Sequence, residues 1–377
     1  MLLLNEISLS QRLYDIFSSS IDQKVFPGAA VGISQWNGNK YYRFYDHYGL
    51  AQSFPFKVKI SRKTFFDLAS LTKALATVPA LLTLIAEGKI SWTSTLADIF
   101  GNEIKKDKKH INIKQLMSHS SGLPAYKEYY KKILKVNESE RKKWIFTSII
   151  EEKLLYIPGT DFLYSDLGFI LLGLIIEKIS GKNLDYYIEE KIYKPLNLHH
   201  SLFYGDKGSV VKQKYAATDI CSWTGKMLTG MVHDDNCRAM GGVAGHAGLF
   251  GSIDGVVQWC EYILSQIQGR TSHPSFGNEI LRQAIKKVGN SSWTYGFDTP
   301  SIKESSSGSY LSPLSIGHLG YTGTSFWIDP QKELIIVLLT NRVHSSVKTN
   351  ELIRQFRPIF HDTVIHCLQG DNNKKNP

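Results

Sequence analysis

The sequence predicts an α/β sheet domain that both ends of the chain complete, with a mainly helical domain inserted between them. Segments rich in β-branched and aromatic residues lie near both termini, and the long middle carries apolar residues at helical spacing. No internal repeat is present, so nothing suggests a solenoid or propeller.

Residues 9–17 repeat their apolar side chains at helical spacing, and 28–34 and 41–48 read as strands that turn at Asn37-Gly38-Asn39. From Ser70 to Glu87 a stripe of Leu71, Ala74, Leu75, Val78, Leu81, Leu82 and Ile85 predicts a helix that Gly88 stops. Pro79 lies inside it and removes the N–H that would bond the Leu75 carbonyl, so a kink or a local water is expected there. Further helices are expected over 142–155, 167–179 and 256–267, with glycine-rich loops such as 240–250 between them. Strands at 316–320, 324–328 and 334–340 follow, with a turn at Asp329-Pro330, and then a helix over 350–367. The expected division is a discontinuous sheet domain of 1–66 and 270–368, a helical domain of 67–269 and a frayed polar tail, 369–377.

A chain of 377 residues, 42% hydrophobic and 21% charged, has the composition of a globular protein with one large core or two. Its longest uncharged apolar stretches, 74–86 and 167–176, are shorter than the roughly 18 to 20 residues of a membrane span, so no integral membrane segment is expected. No basic, apolar leader precedes Glu6, which places the chain as written in the cytoplasm; a start lying further upstream would make it periplasmic. Cys221, Cys237, Cys260 and Cys367 are widely spaced and read as free thiols rather than a Cys221–Cys237 bridge. The net charge of +10 is concentrated in 103–153. Without an aromatic-lined motif beside it, this basic stretch reads as a solvated helical face, and no nucleic-acid partner is expected.

The chain holds no G-x-S-x-G, H-E-x-x-H, P-loop, C-x-x-C or G-x-G-x-x-G pattern, and its twelve histidines lack metal-site spacing, so neither metal nor cofactor is expected. Ser-x-x-Lys remains. Residues three apart on a helix stand about 5 to 6 Å apart at Cβ, which lets an amine reach a serine hydroxyl. Four instances begin at Ser70, Ser139, Ser209 and Ser345. Only Ser70 opens an apolar helix, where burial would draw the Lys73 amine down toward a base's working range. Read alone, Ser70 could equally be an N-cap and Lys73 a snorkelling side chain.

Company decides between those readings. Phe66-Asp67-Leu68-Ala69-Ser70-Leu71-Thr72-Lys73, Leu116-Met117-Ser118-His119-Ser120-Ser121-Gly122-Leu123-Pro124, Tyr164-Ser165-Asp166 and His318-Leu319-Gly320 follow one another in order. Together, and with the loop Gly241-Gly242-Val243-Ala244-Gly245-His246-Ala247-Gly248, they resemble the class C β-lactamase and penicillin-binding serine hydrolases, with their D-peptidase and esterase relatives. The resemblance runs from Gly28 to about Arg342 and implies the β-lactamase/transpeptidase-like fold, an antiparallel sheet with helices on its faces. It implies an acyl-enzyme at Ser70, with Lys73 and Tyr164 moving the proton, the amides of Ser70 and Tyr321 as oxyanion hole, and Asp166, His318 and Gly320 facing the substrate. Asp166 stands where the family usually has Asn, His318 where β-lactamases have Lys, and Leu319 where they have Thr or Ser. A neutral histidine holds a carboxylate less well than lysine. The expected substrate is therefore a small ester, amide, β-lactam or D-peptide, the ester slightly favoured, and the rival is a non-catalytic binder of a cell-wall or acyl ligand. His119 is expected to brace the site, His233 and His246 to be buried and hydrogen-bonded, and Asp166 to raise the pKa of Lys73 and shift the base role to Tyr164. Oligomeric state is not legible.

Overall fold

The computed structural model describes residues 6–205, 214–344 and 349–369. The Ser-x-x-Lys instances at Ser209 and Ser345, the first five residues and the tail beyond Gln369 lie outside them.

Nine strands form two sheets among the described residues. β1 (Gly28–Trp36), β2 (Tyr41–Gln52) and β3 (Val58–Lys59) come from the N-terminal part, and β4 (Phe65–Asp67), β5 (Leu202–Tyr204) and β6 (Leu249–Ser252) from the middle. β7 (Ile316–Leu319), β8 (Ser325–Asp329) and β9 (Leu334–Thr340) come from the C-terminal part. The larger sheet has the order β3-β2-β1-β9-β8-β7 and every pairing in it is antiparallel. Its centre is the β1–β9 pair, Ala29 opposite Thr340, so the two ends of the chain meet in the middle of the sheet. β9 is buried at every residue: Leu334, Ile336 and Leu338 pack with the helices Glu6–Asp22 and Asn350–Gln369, while Ile335, Val337 and Leu339 share a core with the helix Ile253–Ile267. Burial on both faces makes it an unbroken apolar run in the sequence.

The small sheet β4-β6-β5 inside the helical middle is not expected from the sequence. Its strands have three or four residues and pair across more than forty positions, so neither alternation nor a hairpin turn announces them. The helix expected over 142–155 stops at Glu151, because the chain turns away and Leu155 donates its amide to the Gly122 carbonyl. No helix among the described residues is long and apolar enough to cross a membrane, and the four cysteines are buried free thiols.

A widened turn precedes Pro79. Lys73–Thr77 forms one π-helical turn leading directly into the α-helix Val78–Ala86, and the Val78 amide bonds back to the Lys73 carbonyl. The Leu75 carbonyl, for which Pro79 offers no N–H, accepts the hydroxyl of Tyr193 at 3.2 Å. A protein donor thus satisfies the acceptor, and the wider turn absorbs the ring. Tyr193→Phe is expected to lower unfolding stability by about 1 to 3 kcal/mol, the cost of stranding a buried acceptor. An unchanged denaturation midpoint would show that the carbonyl finds another partner.

Candidate active site

β4 delivers the chain to Ser70. At Ala69 the backbone takes φ +48°, left-handed and strained for a residue with a Cβ, before the helix begins. The bend is held from both sides: Asp67 accepts the Ala69 amide at 2.9 Å, and the Thr72 hydroxyl donates to the Ala69 carbonyl at 2.6 Å. The other oxygen of Asp67 accepts the His233 amide at 2.6 Å, and burial pushes this carboxyl above its ordinary range.

Lys73 has no solvent exposure, yet its ammonium is well satisfied. Nζ lies 2.9 Å from Ser70 Oγ, 2.7 Å from Asp166 Oδ1 and 3.2 Å from the His246 carbonyl. Burial pulls the amine down, as the sequence suggests, but the charge of Asp166, with Tyr164 beside it, more than offsets this and the pKa is raised. The expectation that burial alone would bring Lys73 toward a base's working range is therefore corrected, and Asp166 acts in the direction expected of it. Tyr164 lies with its ring centroid 4.8 Å from Lys73 Nζ, and its hydroxyl interacts with the side chains of Lys73 and Ser70. Burial and Asp166 raise this phenol further than the ammonium lowers it. At rest the site therefore holds an ammonium and a neutral phenol, where the sequence reading has the ammonium favouring a phenolate.

The loop 240–250 supplies the His246 carbonyl by lying directly on the helix Asp166–Ser180. A Cβ on Gly245 would sit 2.1 Å from the Phe169 carbonyl, so only glycine permits that approach. His246 Nε2 pairs with Asp234 at 2.9 Å, which holds that carboxyl well below its usual range even as burial opposes it. His119 braces the segment carrying Tyr164: Nδ1 accepts the Ser165 amide at 3.1 Å, its carbonyl accepts the Leu163 amide, and its ring lies against Tyr164. Burial holds it neutral.

The far wall is the end of β7 and the turn after it. Thr322 and Thr324 donate hydroxyls to the Asp67 and Leu68 carbonyls at 2.8 and 3.2 Å, which locks the turn to the segment before Ser70. A Cβ on Gly320 would meet Thr324 Oγ1 at 2.0 Å and the Leu68 carbonyl at 2.8 Å, so contact this close requires glycine. The amides of Ser70 and Tyr321 donate to no protein acceptor among the described residues. Two free N–H groups on mutually fixed segments are what an oxyanion hole requires, the role the sequence resemblance implies for them. His318 is buried, with Nδ1 at 2.9 Å from the Leu319 carbonyl, and burial pushes its pKa down to about 3.

One cavity of about 760 Å³ is lined by Ser70, Tyr164, Asp166, His318, Gly320 and Tyr321, with Lys73 behind its wall. The structure thus brings together all seven residues singled out from the sequence. His233 departs from expectation: it is half-buried, lines the cavity and stacks on Tyr321 at 5.6 Å. Trp293, Asp298 and Arg357 also line the cavity and went unrecognised in the sequence. Burial raises Asp298 to about 7. Arg357 donates from Nη2 to the Gly320 and Thr324 carbonyls, both at 2.9 Å, steadying the turn beside Tyr321. A signal for it existed: it is a charge within the stripe Ile353, Phe356, Phe360 and Val364 of the C-terminal helix. Among the described residues no group of three or more His, Cys, Asp or Glu side chains is placed to hold a metal ion.

Residues 13–356 match the family model described as Beta-lactamase. An Escherichia coli K12 protein named "Putative D-alanyl-D-alanine carboxypeptidase" is 33% identical over 319 residues, 77% of this chain and 72% of that protein. The N-acetylmuramyl-L-alanine amidase of Bacillus subtilis strain 168 is 33% identical over 323 residues, 77% and 70% of the two chains. Among solved structures, EstCE1, a hydrolase with promiscuous acyltransferase activity, superposes with a TM-score of 0.71 at 20% identity, covering 94% of this chain and 100% of its own. The octameric penicillin-binding protein homologue from Pyrococcus abyssi gives 0.67 at 19%, covering 91% and 76%.

Proposed function

The chain belongs to the β-lactamase family and is a serine hydrolase, and on that premise we propose that it works through an acyl-enzyme at Ser70 on a small ester, amide or D-peptide, the ester slightly favoured. The observation that carries this is the Ser70 hydroxyl 2.9 Å from the Lys73 amine, at the wall of a cavity that Ser70 and Tyr321 line, the amides of both having no protein acceptor among the described residues.

The active form is the Lys73–Tyr164 pair that has lost one proton, a form whose share grows as pH rises; Ser70 Oγ attacks the substrate carbonyl while its proton passes to that pair, and the two amides receive the oxyanion. The pair returns the proton to the leaving alcohol or amine as the bond breaks. Water then attacks the acyl group and gives a proton to the same pair, which passes it to Ser70 Oγ as the acyl–oxygen bond breaks and the acid leaves. Asp166 does not touch the reacting atoms; it sets the charge on Lys73. The curated relatives' names bring amides and D-peptides into the substrate class. The ester preference rests on His318 and Leu319, which offer a substrate carboxylate neither a cation nor a hydroxyl.

The test compares kcat/KM for a short-chain p-nitrophenyl ester, a penicillin and a D-alanyl-D-alanine peptide. The ester is expected to lead the penicillin by about tenfold or more, the scale set by one lost polar contact. A penicillin faster than the ester would overturn the preference.

A further inference from the structure

We propose that His318 is a fixed hydrogen-bond acceptor that selects substrates carrying a neutral O–H or N–H donor on the leaving-group side, in place of a carboxylate. The inference rests on the reading that the Ser70 cavity is the substrate site.

A carbonyl can only accept, so the 2.9 Å contact with the Leu319 carbonyl places the imidazole proton on Nδ1. Nε2 is then a bare lone pair. It is buried and has no partner among the described residues, and His318, only 2% exposed, lines the cavity beside Ser70 and Tyr164. A buried polar atom left unmatched costs free energy, and a donor from a ligand would recover it. Protonation does not rescue it. Burial, then the charges of Lys73 and Arg357, hold the ring neutral against the opposing hydrogen bond to the Leu319 carbonyl. A substrate carboxylate at this point would set its own lone pairs against that of Nε2. An alcohol or an amide N–H would complete the pair. The position usually held by a cation in the family's β-lactamases thus asks for the opposite hydrogen-bonding sense.

Three esters of one acyl group make the test, their leaving alcohols being ethylene glycol, its monomethyl ether and glycolate. They differ at the distal end as hydroxyl donor, capped oxygen and carboxylate. Binding is measured by calorimetry on Ser70→Ala, and turnover on the unaltered protein. The hydroxyl ester is expected to bind about tenfold more tightly than the ether, the scale of one net hydrogen bond. It should also exceed the glycolate ester. His318→Phe should bring the hydroxyl-to-ether ratio to about one. His318→Gln, which keeps an acceptor oxygen, should retain part of the preference, and His318→Lys should turn it toward glycolate. Equal binding of all three, or tightest binding of glycolate, would overturn the inference. Preferential binding of the hydroxyl ester without turnover would uphold it and count against the hydrolase reading instead.

Discussion

Ser70→Ala is expected to lower ester hydrolysis by at least about four orders of magnitude, the scale seen when a covalent nucleophile is removed. It should also abolish the single mass adduct that a fluorophosphonate leaves on the unaltered protein. The variant should fold normally, because Ser70 is only partly buried and what is lost is its contact with the Tyr164 hydroxyl and its hydrogen bond to an ammonium that keeps Asp166 and the His246 carbonyl. Intact-mass and peptide mapping read the result. An adduct that persists and maps to Ser120 or Ser139 would remove Ser70 from the mechanism. Among the described residues neither alternative hydroxyl is hydrogen-bonded to a basic side chain: Ser120 is buried against Ser118, and Ser139 is exposed in a short turn.

Asp166→Asn should move the rising limb of the kcat/KM pH profile to lower pH by about 1 to 3 units, the usual effect of one opposite charge at contact. The sign follows from both members of the proton-handling pair. Lys73 is pulled down by burial and lifted by Asp166, so without the carboxylate burial prevails and the amine loses its proton at lower pH. Tyr164 is also raised in part by Asp166, so the phenol falls in the same direction. The limb reports the pair rather than either residue, and both contributions lower it. Stability changes as well. A lysine raised in the folded state contributes stability that is fully present below its unfolded pKa and is lost as pH rises through the folded one. The unaltered protein should therefore lose stability over the alkaline range above the ordinary lysine pKa, and the variant should lose that dependence. A folded variant with an unchanged profile would show that Lys73 and Tyr164 do not govern the rate.

The nucleophile and its amine are legible because Ser70 and Lys73 are three residues apart, and helix geometry alone brings them together. Tyr164, Asp166, His318, Gly320 and Tyr321 carry no such local signal. They emerge only as ordered motifs whose resemblance to a family supplies the spatial relation. Arg357 and Trp293 escape even that, since each reaches the cavity from an element whose packing is set by distant parts of the chain. The strands of the larger sheet are legible from side-chain type and turn residues. Those of the smaller one, which aims Ser70, are too short and too far apart in sequence.

By itself the sequence determined the α/β class, the meeting of both chain ends in one sheet, and a serine beside a lysine at the head of an apolar helix. All three follow from periodicity and spacing along the chain. Tertiary structure decided the state of that lysine. Burial, foreseeable from the apolar helix, argues for a neutral amine and is the largest single influence, but Asp166 arrives from 93 residues away to 2.7 Å, and its charge and hydrogen bond together with Tyr164 outweigh desolvation. It also decided that Tyr193 would take the carbonyl Pro79 abandons, and that the Leu319 carbonyl would fix the proton of His318 on Nδ1. A hydrogen bond's partner depends on positions within a few tenths of an ångström, which only the packed chain defines.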